Sequence, residues 1–202
     1  MAVKPPNPKY IPKAYAQMYY PGQRVQIDVK HVPTACIVGD ATGQKFYQHI
    51  AIDEYSRFRF LMAFEEATTY SSARFAEALQ KAFSFPIECI QNDNGFEFAN
   101  RFGNGKPTLF EKTLKQLGVL HKTIRPFTPR HNGSHRKDNE YFYAVRNFYS
   151  FNDFKTQLAV HNRNYNNFPM HPLNGRNIFI SFRPQLSSSI SNSSNLSATN
   201  ST

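Results

Sequence analysis

Val25-Gln26-Ile27-Asp28-Val29-Lys30-His31-Val32 alternates apolar and polar residues, the period-two pattern of a strand with one face on a core. Asp28 stands in its middle, where Asp has poor strand propensity and a neutral polar residue would serve a solvated face better. Upstream, Met1 to Gly22 carries five prolines and several lysines without periodicity. It reads as an extended basic lead-in that ends in the turn Pro21-Gly22. Downstream, Lys45 to Asp53 and Arg57 to Phe64 read as two further strands joined by the polar tetrad Asp53-Glu54-Tyr55-Ser56, so the chain opens as a meander.

Helical spacing then appears over Tyr70 to Phe83, with Ala73, Phe75, Ala76, Leu79 and Phe83 on one face and Pro86 beyond its end. A short buried strand, Ile87 to Ile90, follows. A second helix is expected from about Thr108 to Leu117, ending at Gly118, a residue suited to a left-handed cap. Leu120 to Ile124 reads as a fifth strand. After a basic, proline-punctuated loop, Arg125 to Gly133, an aromatic-rich helix is expected to carry Tyr141, Phe142, Val145, Phe148 and Tyr149. One more helix follows over about Phe151 to Tyr165. From Leu186 the chain is almost entirely Ser, Asn, Thr and small residues, which bury too little apolar surface to offset the entropy of ordering, so a disordered tail is expected. The order β-β-β-α-β-α-β and then helices predicts an α/β fold, a mixed sheet flanked by helices.

The chain has 202 residues, 40% of them hydrophobic, enough for one core with appendages. Its formal net charge of +10 favours a polyanionic partner, because each neutralised phosphate releases counterions. Nucleic acid is the first expectation and an anionic membrane surface the second. The membrane reading is weakened by the lack of any apolar run of spanning length and of a signal-peptide stretch in MAVKPPNPKY. Cytoplasmic placement is expected. Cys36 and Cys89 are too few for a disulfide framework and have no metal-ligand spacing, so both read as ordinary small residues.

Asp93, in Ile90-Gln91-Asn92-Asp93-Asn94-Gly95, lies just past a buried strand, where open α/β sheets display reactive groups. Two carboxylates on adjacent strand positions repel one another unless a cation lies between them, and Mg2+ takes oxygen ligands from a few carboxylates plus a substrate phosphate. That chemistry suits phosphodiester cleavage. Simpler readings stand beside it: Asp93-Asn94-Gly95 is also a turn sequence, and Asp28 could be a charge on a solvated face. Asp53 with Glu54 reads as a hairpin turn. His31, His49 and His121 show no zinc pattern. Arg125, Arg130, His131, His135, Arg136 and Lys137 form a basic strip suited to phosphate contact.

Five stretches taken together carry a family likeness: Tyr20 to Lys30 (YPGQRVQIDVK), Ala51 to Arg57 (AIDEYSR), Gln91 to Phe98 (QNDNGFEF), Arg125 to Gly133 (RPFTPRHNG) and His161 to Asn167 (HNRNYNN). In order and spacing they resemble the integrase-type catalytic domain of bacterial insertion-sequence transposases, within the retroviral-integrase superfamily. The likeness runs from about Ile11 to Leu173. It implies an RNase H-like fold with a five-stranded mixed sheet. It also implies an Asp, Asp, Glu triad that uses Mg2+ or Mn2+ to cut and join transposon ends and target DNA, on which the protein could assemble as a homo-oligomer. Asp28 and Asp93 match the first two acids. The resemblance begins just before the catalytic domain, so a chain that is part of a longer transposase with an upstream helix-turn-helix is one expectation.

The third acid departs from the pattern. In similar transposases His-Asn-Gly is followed by Lys-Val-Glu-Arg and then Ser-His-Arg, whereas here Gly133 runs directly into Ser134. Losing four helical residues shifts a helix by about 6 Å along its axis but only about 40° around it. The family position of the Glu then falls on Asn132 or Arg136, neither an acid. Glu140, a helical turn beyond Arg136, is the best substitute, with Asp138 less well aimed. A transposase core impaired at its third ligand and a non-catalytic nucleic-acid-binding remnant are the two functional expectations.

Overall fold

The strand holding Asp28, β1 (Val25–His31), lies at the centre of a five-stranded sheet. β2 (Tyr47–Asp53) pairs antiparallel with β1, and β3 (Arg59–Phe64) pairs antiparallel with β2. On the other side β4 (Cys89–Asn92) runs parallel to β1, and β5 (Leu120–Thr123) parallel to β4, giving the order β3-β2-β1-β4-β5. Among the described residues the sheet is flanked by the helices α1 (Thr69–Ala82), α2 (Leu109–Gln116) and α3 (Phe151–Asn167). This computed structural model describes residues 17–100, 105–124 and 138–168. The mixed, helix-flanked sheet is the RNase H-like architecture expected from the sequence.

Each face of the sheet buries its own cluster, as strand alternation requires. Val25, Ile27 and Ala51 point toward α1 and α2, where Phe75, Leu79, Phe110 and Leu114 close the core. Ile50, Ile52, Leu61 and Ala63 point the other way and meet Phe148, Phe154 and Leu158 beside α3. The helix starts are written locally. Thr68 and Ser71 form a capping box at α1, Thr108 and Glu111 form another at α2, and the Ser150 hydroxyl accepts from the Asp153 N–H at α3. Gly22 shows why its turn needs glycine: its φ is +83°, and a Cβ there would lie 1.9 Å from the Pro86 carbonyl oxygen.

Most sequence expectations are met within a residue or two at element ends. The aromatic-rich helix is not. Residues 138–141 are helical, a short 3-10 helix covers Tyr143–Val145, and Phe148 then pairs in parallel with Ile37. At about 100° per residue, Tyr141, Phe142, Val145, Phe148 and Tyr149 fall within one apolar arc, which is why the sequence reads as a helix. The residues that are buried are instead Phe142, Tyr143 and Phe148, while Tyr141, Val145 and Tyr149 are exposed. No single helix stripe can bury the first three, so the helix breaks. The Phe148 N–H donates to the Cys36 carbonyl (2.7 Å) and its carbonyl accepts from the Val38 N–H (3.0 Å), recovering hydrogen bonds the helix gives up. The N-terminal lead-in before residue 17 and the Ser/Asn-rich tail lie outside the described residues.

Candidate functional site

Asp28 lies opposite Ile50 in the β1–β2 ladder, so its side chain belongs to the α3 face of the sheet. In the parallel β1–β4 ladder the last paired rung is Gln26 with Gln91. Continued two residues past this rung, the same register would bring Asp93 level with Asp28, although β4 itself ends at Asn92. Asp28 is half-buried and Asp93 exposed. Each is steadied by one backbone bond: the Asp28 Oδ1 accepts from the Val29 N–H (2.8 Å), and the Asp93 Oδ1 from the Gly95 N–H (3.0 Å). The loop after Asp93 is fastened to the core by Phe98, which is fully buried against Phe110 at 5.3 Å between ring centroids.

Glu97 reports on this pair. Burial raises its pKa, and the charges of Asp93 and Asp28 raise it further. The three carboxylates thus lie near enough to act on one another through charge. Glu97 also folds back over Gly95, where a Cβ would come within 2.6 Å of its carboxylate oxygens. The sequence reading passed over Glu97, although its place four residues after Asp93 in a glycine turn was a usable signal. Among the described residues no three His, Cys, Asp or Glu side chains are gathered closely enough to hold a metal ion. Asp28 and Asp93 are oxygen donors of the kind a hard cation takes together with water and phosphate.

Glu140 is exposed on the turn at 138–141, and it does not close with Asp28 and Asp93 into such a group. Its neighbour Asn139 accepts a hydrogen bond from Lys30 Nζ, which ties the turn to β1 two residues beyond Asp28. Asp138, the less favoured substitute acid, is committed elsewhere. It is buried, its Oδ1 accepting from Arg59 Nη1 and His161 Nε2 (2.9 Å each) and its Oδ2 from Gln48 Nε2 (2.9 Å). Burial alone would raise its pKa, but the bonds from His161 and Gln48 and the Arg59 charge outweigh that and bring it down to about 2. Arg125, Arg130, His131, His135, Arg136 and Lys137, and the junction of Gly133 with Ser134, lie outside the described residues.

Asp53 and Glu54 hold structure, as their turn sequence suggested. The buried Asp53 carboxylate accepts from the Gly22 N–H (2.9 Å) and the Ser56 N–H (2.7 Å), while Glu54 pairs with Arg24 at 2.6 Å. His49 is fully buried between Phe64 and Phe75, and His121 Nε2 lies 3.1 Å from Asn92 Oδ1. Both cysteines are buried and free.

A family model described as "Integrase core domain" matches residues 19–129, more than half of the chain. The chain belongs to the integrase core domain family. No curated protein matches this integrase core. Among solved structures it is similar to a chain of the simian T-cell lymphotropic virus intasome determined with PP2A regulatory subunit B56 gamma (18% identity, TM-score 0.60). The match covers 91% of this chain and 63% of that one, so the integrase core spans under two thirds of that chain's length. It is also similar to the HTLV-2 integrase catalytic core domain in complex with magnesium, in a trimeric form (18% identity, TM-score 0.55, covering 79% of this chain and 95% of that one). The BIV integrase catalytic core domain matches comparably (17% identity, TM-score 0.57, 80% and 93%). At these identities the likeness establishes the shared fold.

Proposed function

We propose that this chain is the DNA-processing core of an insertion-sequence transposase in which strand cleavage and joining are weakened by loss of the third acid. The observation that supports the reading is the β1–β4 register of an integrase-type sheet, whose continuation past Gln26 and Gln91 would carry Asp93 to the level of Asp28. Asp28 and Asp93 would hold Mg2+ or Mn2+, as the magnesium complex of the HTLV-2 core encourages. A divalent cation there supplies positive charge that offsets a scissile phosphate and favours ionisation of an attacking water or terminal hydroxyl. The chain's own part is to orient the two carboxylates through the Val29 and Gly95 amides and to anchor the Asp93 loop through Phe98. Transposon ends and target DNA are the proposed substrates, bound through the +10 charge and the basic strip from Arg125 to Lys137. Assembly of several copies on DNA, and a cytoplasmic, nucleoid-associated location in a bacterium, belong to the same proposal.

The test separates ligand loss from spacing. Inserting Lys-Val-Glu-Arg between Gly133 and Ser134 should raise Mg2+-dependent cleavage and joining of matched DNA ends by orders of magnitude. Inserting Lys-Val-Gln-Arg should not. D28N and D93N should each abolish Mn2+ binding and the residual activity while leaving thermal stability little changed. If the unmodified chain joins ends as fast as the Glu-restored one, the deletion is not the defect, and Glu140 becomes the next residue to replace. The direct run of Gly133 into Ser134, without Lys-Val-Glu-Arg between them, also supports a second reading, a DNA-binding remnant without chemistry. Retained DNA binding with no cleavage even after the Glu insertion would favour it.

A further inference from the structure

The stretch from His161 to Asn167 contributes nothing to the acid pair, yet three of its residues converge on one place. His161, Tyr165 and Asn166 lie at the spacing i, i+4, i+5, close together on one side of α3. His161 Nε2 donates to Asp138 Oδ1 (2.9 Å), and the Tyr165 ring lies beneath the Arg59 guanidinium, 3.9 Å from its centroid. Asn166 takes both backbone groups of Arg59, accepting from its N–H at 3.0 Å and donating to its carbonyl at 2.7 Å. Arg59, buried in an apolar strand, then reaches Asp138 through Nη1. Gln48, from β2, donates to the other Asp138 oxygen and accepts from the Tyr143 hydroxyl.

Asp138 is therefore gripped by β2, β3 and α3 together. The next residue, Asn139, meets Lys30, which shares the Asp28 face of β1 and stands about 7 Å along it. Lys30 is itself seated over the Tyr143 ring, 4.6 Å from its centroid.

We propose that Asp138, clamped by Arg59, Gln48 and His161, is a positioning residue that sets the turn carrying Asn139 and Glu140 against β1 beside the Asp28 site. The proposal rests on the reading of Asp28 and Asp93 as the reactive pair, but its geometry does not depend on a metal. Asn139 and Glu140 are exposed, so burial of their own side chains does not fix this turn and its place needs an anchor. A carboxylate satisfied on both oxygens inside the protein is the strongest such anchor available to it.

The experiment reads position directly. Cys36 and Cys89 are buried, so in E140C a nitroxide can be placed at position 140 selectively. In the otherwise unchanged chain the label should broaden the backbone amide signals of Val29 and Lys30. Adding D138N, or the milder H161F, which keeps a ring stacked on Phe142, should reduce that broadening several-fold while signals of α1 and α2 stay in place. Broadening equal to the parent's in a folded H161F and D138N would overturn the proposal. If D138N does not fold, H161F alone decides it in the same way. Mn2+ added to the unlabelled chain gives a separate readout, with broadening of Val29 and Gly95 expected. Its absence would defeat the metal reading and leave the positioning result as measured.

Discussion

At the scale of single residues, His49 carries the clearest electrostatic consequence. Burial, outweighing the opposing charge of Asp28, lowers its pKa from 6.5 to about 3, so it is neutral in the fold where the unfolded chain already binds a proton. Between those two values the unfolded state holds the extra proton, and stability falls as pH falls; above 6.5 the residue adds no slope. The loss should approach about 1.4 kcal/mol per pH unit across the window. Denaturant unfolding of the parent and of H49F from pH 7 to about 4 checks it, and parallel profiles would show that His49 is not held neutral. Asp138 has the opposite character. Its depressed pKa stabilises the fold above the ordinary carboxylate value of 3.8, and that contribution disappears as pH falls toward about 2. Removing the carboxylate in D138A strands the buried Arg59 guanidinium and should cost roughly 3 kcal/mol or more at neutral pH, measured by the same unfolding.

At the scale of elements, β3 is an edge strand that does not present a bare edge. Asn166 from α3 satisfies the N–H and carbonyl of Arg59, side chain standing in for a neighbouring strand. N166A should destabilise the chain by about 1 to 3 kcal/mol and speed hydrogen exchange at the Arg59 amide, with the β1–β2 ladder protected as before. Exchange at Arg59 unchanged from the parent would show that the pair is dispensable. The elements differ in how openly the sequence announces them. Both capping boxes and the alternation of β1 are local patterns, and each of those elements forms as expected. The segment from Tyr141 to Tyr149 has an equally good helical stripe and forms something else, because burial of Phe142, Tyr143 and Phe148 and the pairing of Phe148 with Ile37 outweigh about one turn of helix hydrogen bonds.

At the scale of the whole molecule, the excess of 24 Lys and Arg over 14 Asp and Glu would make the proposed DNA binding an electrostatic event. Affinity for a random duplex should fall linearly on logarithmic axes with salt. The fall should be on the order of a thousandfold between about 50 and about 200 mM if some six phosphates are neutralised. Filter binding or anisotropy across that range tests it, and an affinity indifferent to salt would remove the electrostatic argument. Replacing Arg130 and Arg136 with Ala should weaken binding alike on all sequences, since phosphate contacts position a protein without reading bases.

The sequence alone determined the order of the five strands and of α1, α2 and α3, and the charge, and it pointed to Asp28, Asp93 and the spacing after Gly133, since each is written in local period, residue type or spacing. It also marked His161, Tyr165 and Asn166 as a motif without saying what they hold. Only the tertiary structure decided that. Arg59 and Asp138 are 79 residues apart in the chain, and whether a buried charge meets its partner depends on packing of β2, β3 and α3 that no window of sequence contains. The same holds for Glu97, whose link to Asp28 exists because β4 lies in parallel register beside β1. Period and propensity act over neighbours along the chain, whereas desolvation and charge act over neighbours in space.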